Sequence, residues 1–178
     1  KISFLFLFNF LFLSCDSTYL TSLNGNTMGT TYSIQIYSKD VNVNKLKLKV
    51  ENVLDLINKT MSTYDNTSEL SQINNNSFQD SIKISNELLN VLTESLYISE
   101  ISNGSYDCTV FPLVELWNFG PDINSQVIPS NIKISEAKDR VDYTKIIIND
   151  SNLIKVNSDL TIDLSSIAKG YAVDRISE

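Results

Sequence analysis

The chain has 178 residues, of which 42% are apolar and none is histidine, and its formal net charge at pH 7 is −7. This length and apolar content predict one ordinary domain. The acidic balance, with both signs interspersed, argues against an electrostatic nucleic-acid binder, which needs a basic face or stripe. Because histidine is absent from the sequence, a metal ion would have to bind oxygen ligands, which suits Mg²⁺ or Ca²⁺ better than Zn²⁺.

The first fifteen residues resemble an export signal. Residues 4–13 are almost entirely Phe and Leu, a run too short to span a bilayer but typical of the apolar region of a signal peptide. The run leads into Ser14 and Cys15, which resembles the lipobox of bacterial lipoproteins, where the cysteine is acylated. The alternative is an ordinary signal peptide with a chance cysteine. We expect a lipoprotein signal peptide over 1–15 with Cys15 lipidated, a tether over 16–24 and a domain over 25–178.

The spacing of apolar residues predicts a mixture of strands and helices. Alternation predicts a strand over 31–37, and helical spacing predicts helices over 44–58 and 85–102, the second ended by Gly104. The later predictions are a loop at 75–77, a strand pair over 143–148 and 153–156 with a turn at 149–152, a strand over 160–164, and a last helix opened by 165–166 and beginning near Ile167. This order predicts an α+β or mixed α/β fold.

Residues 161–175 form the segment that carries most chemical information. The predicted strand delivers Asp163 to the start of the last helix, where unpaired backbone N–H groups favour phosphate. We expect Lys169 in the first turn of that helix, where a cation is unfavourable unless an anion is near, so a phosphate ligand is indicated. A simply solvated lysine is an equal alternative. The glycine-rich run of a P-loop is absent from the sequence.

Three other segments carry weaker signals. Residues 104–120 combine Asp107 with Tyr106, Trp117 and Phe119, which could clamp a planar ring, although aromatic residues are more often part of a core. Residues 26–31 are expected to enter the first strand, and residues 61–65 follow the first helix. Cys108 is expected to be a small buried apolar residue, not a nucleophile.

Together, in this order, the four segments resemble the ApbE family of FAD:protein FMN transferases, from about Gly25 to the last residue. The closing segment is close to the family's Asp-Leu-Gly-Gly-Ile-Ala-Lys-Gly-Tyr-Ala-Val-Asp pattern, with Ser165 and Ser166 in place of the two glycines. Residues 104–120 resemble a second family motif, with Asn118 where glycine is usual. The resemblance implies a T-fold-like α+β domain. It covers only the N-terminal part of that domain, so we expect the chain to be a fragment that is itself inactive.

The resemblance also implies roles for individual residues. Met28 and Tyr64 correspond to positions that contact FAD, and Ser166 to a position that binds Mg²⁺ through its backbone carbonyl. The loop holding the adenine end of FAD corresponds to Ser105, Tyr106 and Asp107, and two further cofactor contacts correspond to Asp163 and Lys169. Catalytic residues are expected in the C-terminal part of the family's domain, together with the remaining metal ligands.

The family reaction is a Mg²⁺-dependent phosphoryl transfer. A Thr or Ser hydroxyl of a target protein attacks the FMN phosphorus of FAD, and AMP leaves. The implied partners are FAD and a redox-complex subunit carrying the acceptor residue, and the implied place is the bacterial inner membrane, with the protein exported, lipid-anchored and facing the periplasm or the cell exterior. A Mg²⁺-dependent FAD hydrolase and a non-catalytic flavin-binding lipoprotein remain alternatives.

Overall fold

The computed structural model describes residues 18–76, 81–119 and 128–178. The helices in this part of the chain are α1 (Val43–Met61), α2 (Glu69–Asn74), α3 (Asn86–Ile101), α4 (Phe111–Leu116), α5 (Asn131–Lys138) and α6 (Ser165–Ser177). The strands are β1 (Tyr19–Thr27), β2 (Thr30–Ser38), β3 (Ile82–Lys83), β4 (Ile146–Asn149) and β5 (Asn152–Lys155). The fold is therefore mixed helix and sheet, as predicted. The expected signal peptide and Cys15 lie outside the described residues.

Strands β1 and β2 form an antiparallel hairpin in which Tyr19 pairs with Ser38 and Thr27 pairs with Thr30. The expected tether over 16–24 is wrong for residues 19–24, because they belong to β1 and Leu23 is buried in the core. Small and polar residues hide the alternation of this strand in the sequence. At Gly25 the ring of Tyr32 lies so close that a Cβ atom would sit 2.5 Å from it.

The two long predicted helices are confirmed as α1 and α3. Asn42 caps α1 by accepting a hydrogen bond from the Lys45 N–H at 3.0 Å, and Ser85 caps α3 by accepting from the Leu88 N–H. Helix α1 packs against β1, α2, α3 and α6, and α3 packs against α1 and α6. The core comprises Leu23, Val50, Leu54, Ile57, Met61, Leu70, Ile73, Ile84, Leu88, Val91, Leu92, Cys108, Ile146, Leu153, Leu160, Ile162, Leu164, Ala168 and Ala172.

The second sheet is antiparallel with strand order β3-β5-β4. The predicted strand pair is confirmed, with Asn149 opposite Asn152 across the turn, but β4 begins only at Ile146. Residues Tyr143–Lys145 form a 3₁₀ turn instead of strand. The cause is Asp142, whose carboxylate accepts hydrogen bonds from both the backbone N–H and the hydroxyl of Thr144.

The predicted strand over 160–164 is wrong. Its three apolar side chains are buried, as the alternation requires, yet the segment joins no sheet in the described part of the chain. The side chain of Asn74 replaces a neighbouring strand: its Oδ1 accepts from the Ile162 N–H and its Nδ2 donates to the Ile162 carbonyl, both at 2.8 Å. One asparagine therefore satisfies the backbone groups that a strand partner would otherwise satisfy.

Lys155, at the end of β5, has only 1% of its surface exposed. Its ammonium group donates to the carbonyl oxygen of Ile73 at 2.9 Å and to that of Leu160 at 3.3 Å. Burial lowers the pKa of Lys155 below its ordinary value, because the charged form loses water. The buried ammonium connects the end of α2 to the segment that precedes α6.

Candidate functional site

A cavity of about 530 Å³ opens between the hairpin, the end of α1 and the first half of α6. Each of these elements contributes one side of the wall. The lining residues are Met28, Gly29, Ile57, Asn58, Met61, Ser62, Thr63, Tyr64, Ser165, Ala168 and Lys169. A volume of this size lies within the range of small-molecule sites.

The hairpin turn forms the first side of the cavity. Met28 and Gly29 connect β1 to β2 with φ angles of 49° and 68°. Two successive residues at positive φ in a two-residue loop are the signature of a type I′ turn, which favours Asn-Gly or Gly-Gly. A residue with a Cβ pays about 1–2 kcal/mol in this conformation. Residues 26–31 therefore enter the strand predicted at 31–37, now β2, as the sequence suggested, but they do so from the end of β1 through the Met28–Gly29 turn.

The end of α1 forms the second side. Ser62 organises the segment that follows, because its Oγ accepts from the backbone N–H groups of Tyr64 and Asp65, each at 3.1 Å. Its carbonyl accepts from the hydroxyl of Ser71 at 2.9 Å. Tyr64 stays largely exposed at the cavity, and its hydroxyl donates to the Phe119 carbonyl at 3.0 Å. The ring of Tyr64 is thus held at the cavity by contacts from both ends.

Helix α6 forms the third side. It begins at Ser165, two residues earlier than expected, so Lys169 lies in the second turn instead of the first. The N-cap residue of α6 is Leu164, and the carboxylate of the preceding Asp163 accepts a hydrogen bond from the first helical N–H, that of Ser165, at 2.7 Å. Lys169 has no hydrogen bond or ion pair with any other described residue. An unpaired cation at the wall of a cavity favours an anionic ligand.

The loop after α3 lies beside the start of α6. The Tyr106 hydroxyl is 3.1 Å from the Ser95 Oγ and accepts from the Ser166 Oγ at 3.4 Å. The backbone N–H of Asp163 donates to the Cys108 carbonyl at 2.8 Å. These contacts place Tyr106, Asp163 and Ser166 in one group of neighbouring residues.

The carboxylate of Asp107 is occupied within the fold. Its Oδ1 accepts from the backbone N–H of Thr109 at 2.7 Å and from the Thr109 hydroxyl at 2.6 Å. Its Oδ2 accepts from the Tyr143 N–H at 3.1 Å. Asp107 therefore shapes the loop that carries Ser105 and Tyr106 and fastens it to the 3₁₀ turn.

The structure thus divides the predicted site residues into two groups. Met28, Tyr64 and Lys169 line the cavity, whereas Ser105, Tyr106, Asp107, Asp163 and Ser166 lie on the neighbouring loop and at the start of α6. The groups meet in the first turn of α6, where Ser165 lines the cavity and Ser166 contacts Tyr106. The sequence did not single out Asn58. Its only signal is a polar side chain directly after the apolar stripe of α1.

Trp117 and Phe119 do not belong to the core. They are 43% and 75% exposed, whereas Tyr106 packs against the core cluster. The interpretation as core residues therefore holds for Tyr106 alone. Cys108 is fully buried, as expected, and burial together with the charge of Asp107 raises the pKa of its thiol to about 12. At neutral pH this cysteine is an unreactive thiol.

Among the described residues, no group of three or more Asp, Glu or Cys side chains could hold a metal ion. Ser166 in the first turn of α6 could supply one oxygen ligand. The described residues therefore supply at most part of the ligand set of a metal site. A helix able to cross a membrane is likewise not found among the described residues.

The structure is a helix-and-sheet domain with a cavity between a β-hairpin and two helices. The sequence model of the ApbE family matches residues 28–178, and the chain belongs to the ApbE family.

Relatives and solved structures agree with this assignment. The chain is 36% identical to the FAD:protein FMN transferase of Haemophilus influenzae over 170 residues, which are 90% of this chain and 49% of that protein. It is 33% identical to the enzyme of the same name from Vibrio cholerae over 158 residues, 88% of this chain and 47% of that protein. The chain thus spans about half the length of the curated relatives it matches.

The backbone is similar to that of solved members of the family. The flavin transferase ApbE of Vibrio cholerae superposes with a TM-score of 0.87 at 32% identity, over 90% of this chain and 53% of that one. The apo form of the flavinyl transferase ApbE of Pseudomonas stutzeri gives a TM-score of 0.83 at 28% identity, over 90% and 52% of the two chains.

Proposed function

We propose that the full-length protein transfers FMN from FAD to a Thr or Ser hydroxyl of a target protein, releasing AMP. The attacking oxygen forms a bond to the FMN phosphorus, the bond from that phosphorus to the AMP oxygen breaks, and the hydroxyl proton is released. The observation that carries this proposal is the cavity whose wall holds Met28, Tyr64 and Lys169. The matching names of relatives from several bacteria support the same reaction.

In this proposal each cavity residue has a simple physical task. The ammonium group of Lys169, unpaired within the described residues, provides a positive charge for the pyrophosphate of FAD. The aromatic ring of Tyr64 and the thioether of Met28 provide apolar and polarisable surface for a planar ring. Positioning and charge stabilisation of this kind are the main contributions a protein makes to phosphoryl transfer.

Magnesium is part of the proposal. When bound at a pyrophosphate, the ion neutralises charge that develops on the transferred and leaving groups. Ser166 could offer one oxygen ligand, and its neighbour Asp163 lies at the same helix start. The described residues form no complete metal site, so the proposal requires further ligands from the rest of the full-length protein.

The first experiment is an FMN transfer assay. The full-length protein without its signal peptide is incubated with FAD, Mg²⁺ and a target domain that carries an acceptor Thr. Flavin fluorescence of the denatured target band is then read in the gel. We expect a fluorescent target band that is lost with EDTA and with Asp163→Ala. AMP release without a labelled target would instead indicate an FAD hydrolase, and bound FAD without any reaction would indicate a flavin-binding lipoprotein.

Lys169→Gln tests the site in the same full-length protein, with FAD affinity measured from the quenching of flavin fluorescence. We expect FAD affinity to fall about tenfold, which corresponds to ~1.4 kcal/mol and suits the loss of one charge-assisted contact. The matched control is Lys49→Gln on the exposed face of α1, far along the helix from the cavity-lining residues. Equal FAD affinity of the two variants would remove Lys169 from the proposed site.

We further propose that the protein is exported and lipid-anchored through Cys15 to the bacterial inner membrane, where it meets a redox-complex subunit as target. The apolar run before Cys15 supports this placement. Cell fractionation tests it: the wild type should sediment with membranes, and Cys15→Ala should not, because the variant lacks the thiol that carries the acyl chains of the proposed anchor. Equal sedimentation of both proteins would contradict the lipid anchor.

A further inference from the structure

One polar contact joins the hairpin to α1 at the edge of the cavity. The side-chain amide of Asn58 donates a hydrogen bond to the Thr27 Oγ1 at 3.1 Å, across 31 positions of sequence. Asn58 lines the cavity, whereas Thr27 does not. Thr27 is the last residue of β1 and directly precedes Met28. The contact therefore connects the cavity wall on α1 to the turn on the opposite side.

The turn needs an external contact of this kind. Met28 adopts a positive φ that its side chain disfavours. In the described part of the chain, β1 and β2 pair only with each other, and a lone two-stranded hairpin is only marginally stable. Sheet hydrogen bonds fix the strands to one another but not to α1. Leu23 anchors the middle of the hairpin in the core, and Met28 packs against the core from the turn. The Asn58 contact adds a directional hydrogen bond from α1 to the last residue of β1.

We infer that Thr27 and Asn58 form a positioning pair that holds the Met28–Gly29 turn against the cavity, so that the affinity for FAD depends on their hydrogen bond. This inference rests on the proposed function. Strain at a turn persists only where the surroundings hold it in place, and such strain concentrates at binding sites. If the pair breaks, the turn can relax and withdraw the Met28 side chain from the cavity wall.

The test uses substitutions at Thr27 in the full-length protein, because Thr27 does not line the cavity that holds Asn58. Thr27 and Thr30 both line a second cavity around the same turn, so a substitution at Thr30 controls for an effect exerted there. Thr27→Val keeps the shape of the side chain and removes the acceptor, while Thr27→Ser keeps the acceptor. The matched control is Thr30→Val, at the position paired with Thr27 across the turn. FAD affinity is measured from the quenching of flavin fluorescence, and thermal stability is measured in parallel without ligand.

We expect Thr27→Val to weaken FAD binding about three- to tenfold, and Thr27→Ser and Thr30→Val to stay within about twofold of the wild type. Asn58→Ala should also weaken binding, and adding Thr27→Val to it should cause no further loss, since the pair acts as one unit. At saturating FAD the transfer rate of Thr27→Val should fall much less than its FAD affinity, because Thr27 positions a binding surface through Asn58 and does not line that cavity.

The outcomes separate this inference from the proposed function. If the wild-type protein does not bind FAD, the proposed function fails. If the wild type binds FAD and Thr27→Val binds it equally well, the positioning pair is refuted while the proposed function stands. A lower melting temperature of Thr27→Val with unchanged FAD affinity would show a purely structural hydrogen bond and would also overturn the inference.

Discussion

At the level of a single residue, Lys155 shows how a small core can accommodate a buried ammonium group. Its ammonium group has two carbonyl partners but no carboxylate partner in the described structure. Burial lowers its pKa, so the folded protein holds this proton less tightly than the unfolded chain does. Below the lowered pKa both states are protonated and stability does not depend on this group. Between the lowered pKa and the ordinary value of 10.5, the unfolded chain binds more protons, and stability rises with pH.

We therefore predict a pH-dependent difference between the wild type and Lys155→Met. Methionine keeps the length of the side chain and removes the titrating group, so the difference in free energy of unfolding isolates Lys155. As pH rises towards 10.5, the wild type should gain stability relative to the variant. Urea unfolding at several pH values between 7 and 10.5 measures the difference. A difference that stays constant, or that shrinks with pH, would contradict the lowered pKa.

At the level of secondary-structure elements, the segment over 160–164 shows how an alternating apolar pattern can fail to form a strand. The alternation correctly predicts that the three apolar side chains are buried, but it predicts neither the burial of Asp163 nor the partner of the backbone. That partner is Asn74, 88 positions earlier in the sequence, and no local pattern indicates such a contact. When a side-chain amide bonds both backbone groups of a residue, that residue no longer needs a neighbouring strand to satisfy them. Local periodicity thus predicts that these apolar side chains are buried, whereas a distant contact decides whether the segment becomes a strand.

Asn74→Ala should consequently be costly. Removing the side chain leaves both backbone groups of buried Ile162 without their hydrogen bonds, and each such group costs roughly 1–3 kcal/mol. We expect a loss of about 2–4 kcal/mol in the free energy of unfolding, measured by urea denaturation. Asn52→Ala, on the exposed face of α1, serves as the control and should change stability by less than about 0.5 kcal/mol. Similar losses in the free energy of unfolding for the two variants would show that the hydrogen bonds of Asn74 to Ile162 do not stabilise the fold.

The other elements follow the same division between local and tertiary causes. The amphipathic helices α1 and α3 and the β4–β5 turn could be predicted because periodicity and capping residues specify them locally. Strand β1 could not, because its inward positions include Thr21, Gly25 and Thr27 as well as Leu23. Helices α2, α4 and α5 have only 6 to 8 residues, too few to show a helical period. Ser68 and Ser130 cap α2 and α5, α2 packs against α1, and α4 and α5 pack against each other.

At the scale of the whole molecule, the site depends on elements that are distant in sequence. The motifs around Met28, Tyr64 and Lys169 can be found in the sequence, and the fold brings these three residues to one cavity. The role of Asn58 could not be predicted, because its partner lies on another element 31 positions away. Helix α6 is fastened to α3 by Glu87, which accepts hydrogen bonds from Tyr171 and Arg175. These contacts with α3 therefore hold in place the helix that carries one side of the cavity wall.

For the isolated residues 16–178 we predict neither tight Mg²⁺ binding nor transfer of FMN. The physical reason is that the described residues contain no cluster of acidic side chains able to hold the ion, and the chain spans about half the length of its relatives. The transfer assay described above measures this, with the full-length protein as positive control and circular dichroism to verify helix content. Turnover by the isolated segment comparable with that of the full-length protein would prove the prediction wrong.

The double contact between Asn74 and Ile162 also determines how this region exchanges its amide hydrogens with water. The Ile162 N–H is buried and bonded to a side-chain oxygen at 2.8 Å, so its exchange requires the opening of the core around α2. A hydrogen-exchange experiment would show slow exchange of the Ile162 N–H, as expected for a residue in a sheet, although Ile162 belongs to no strand. Exchange at Ile162 would therefore report on the integrity of α2 and not on any local secondary structure.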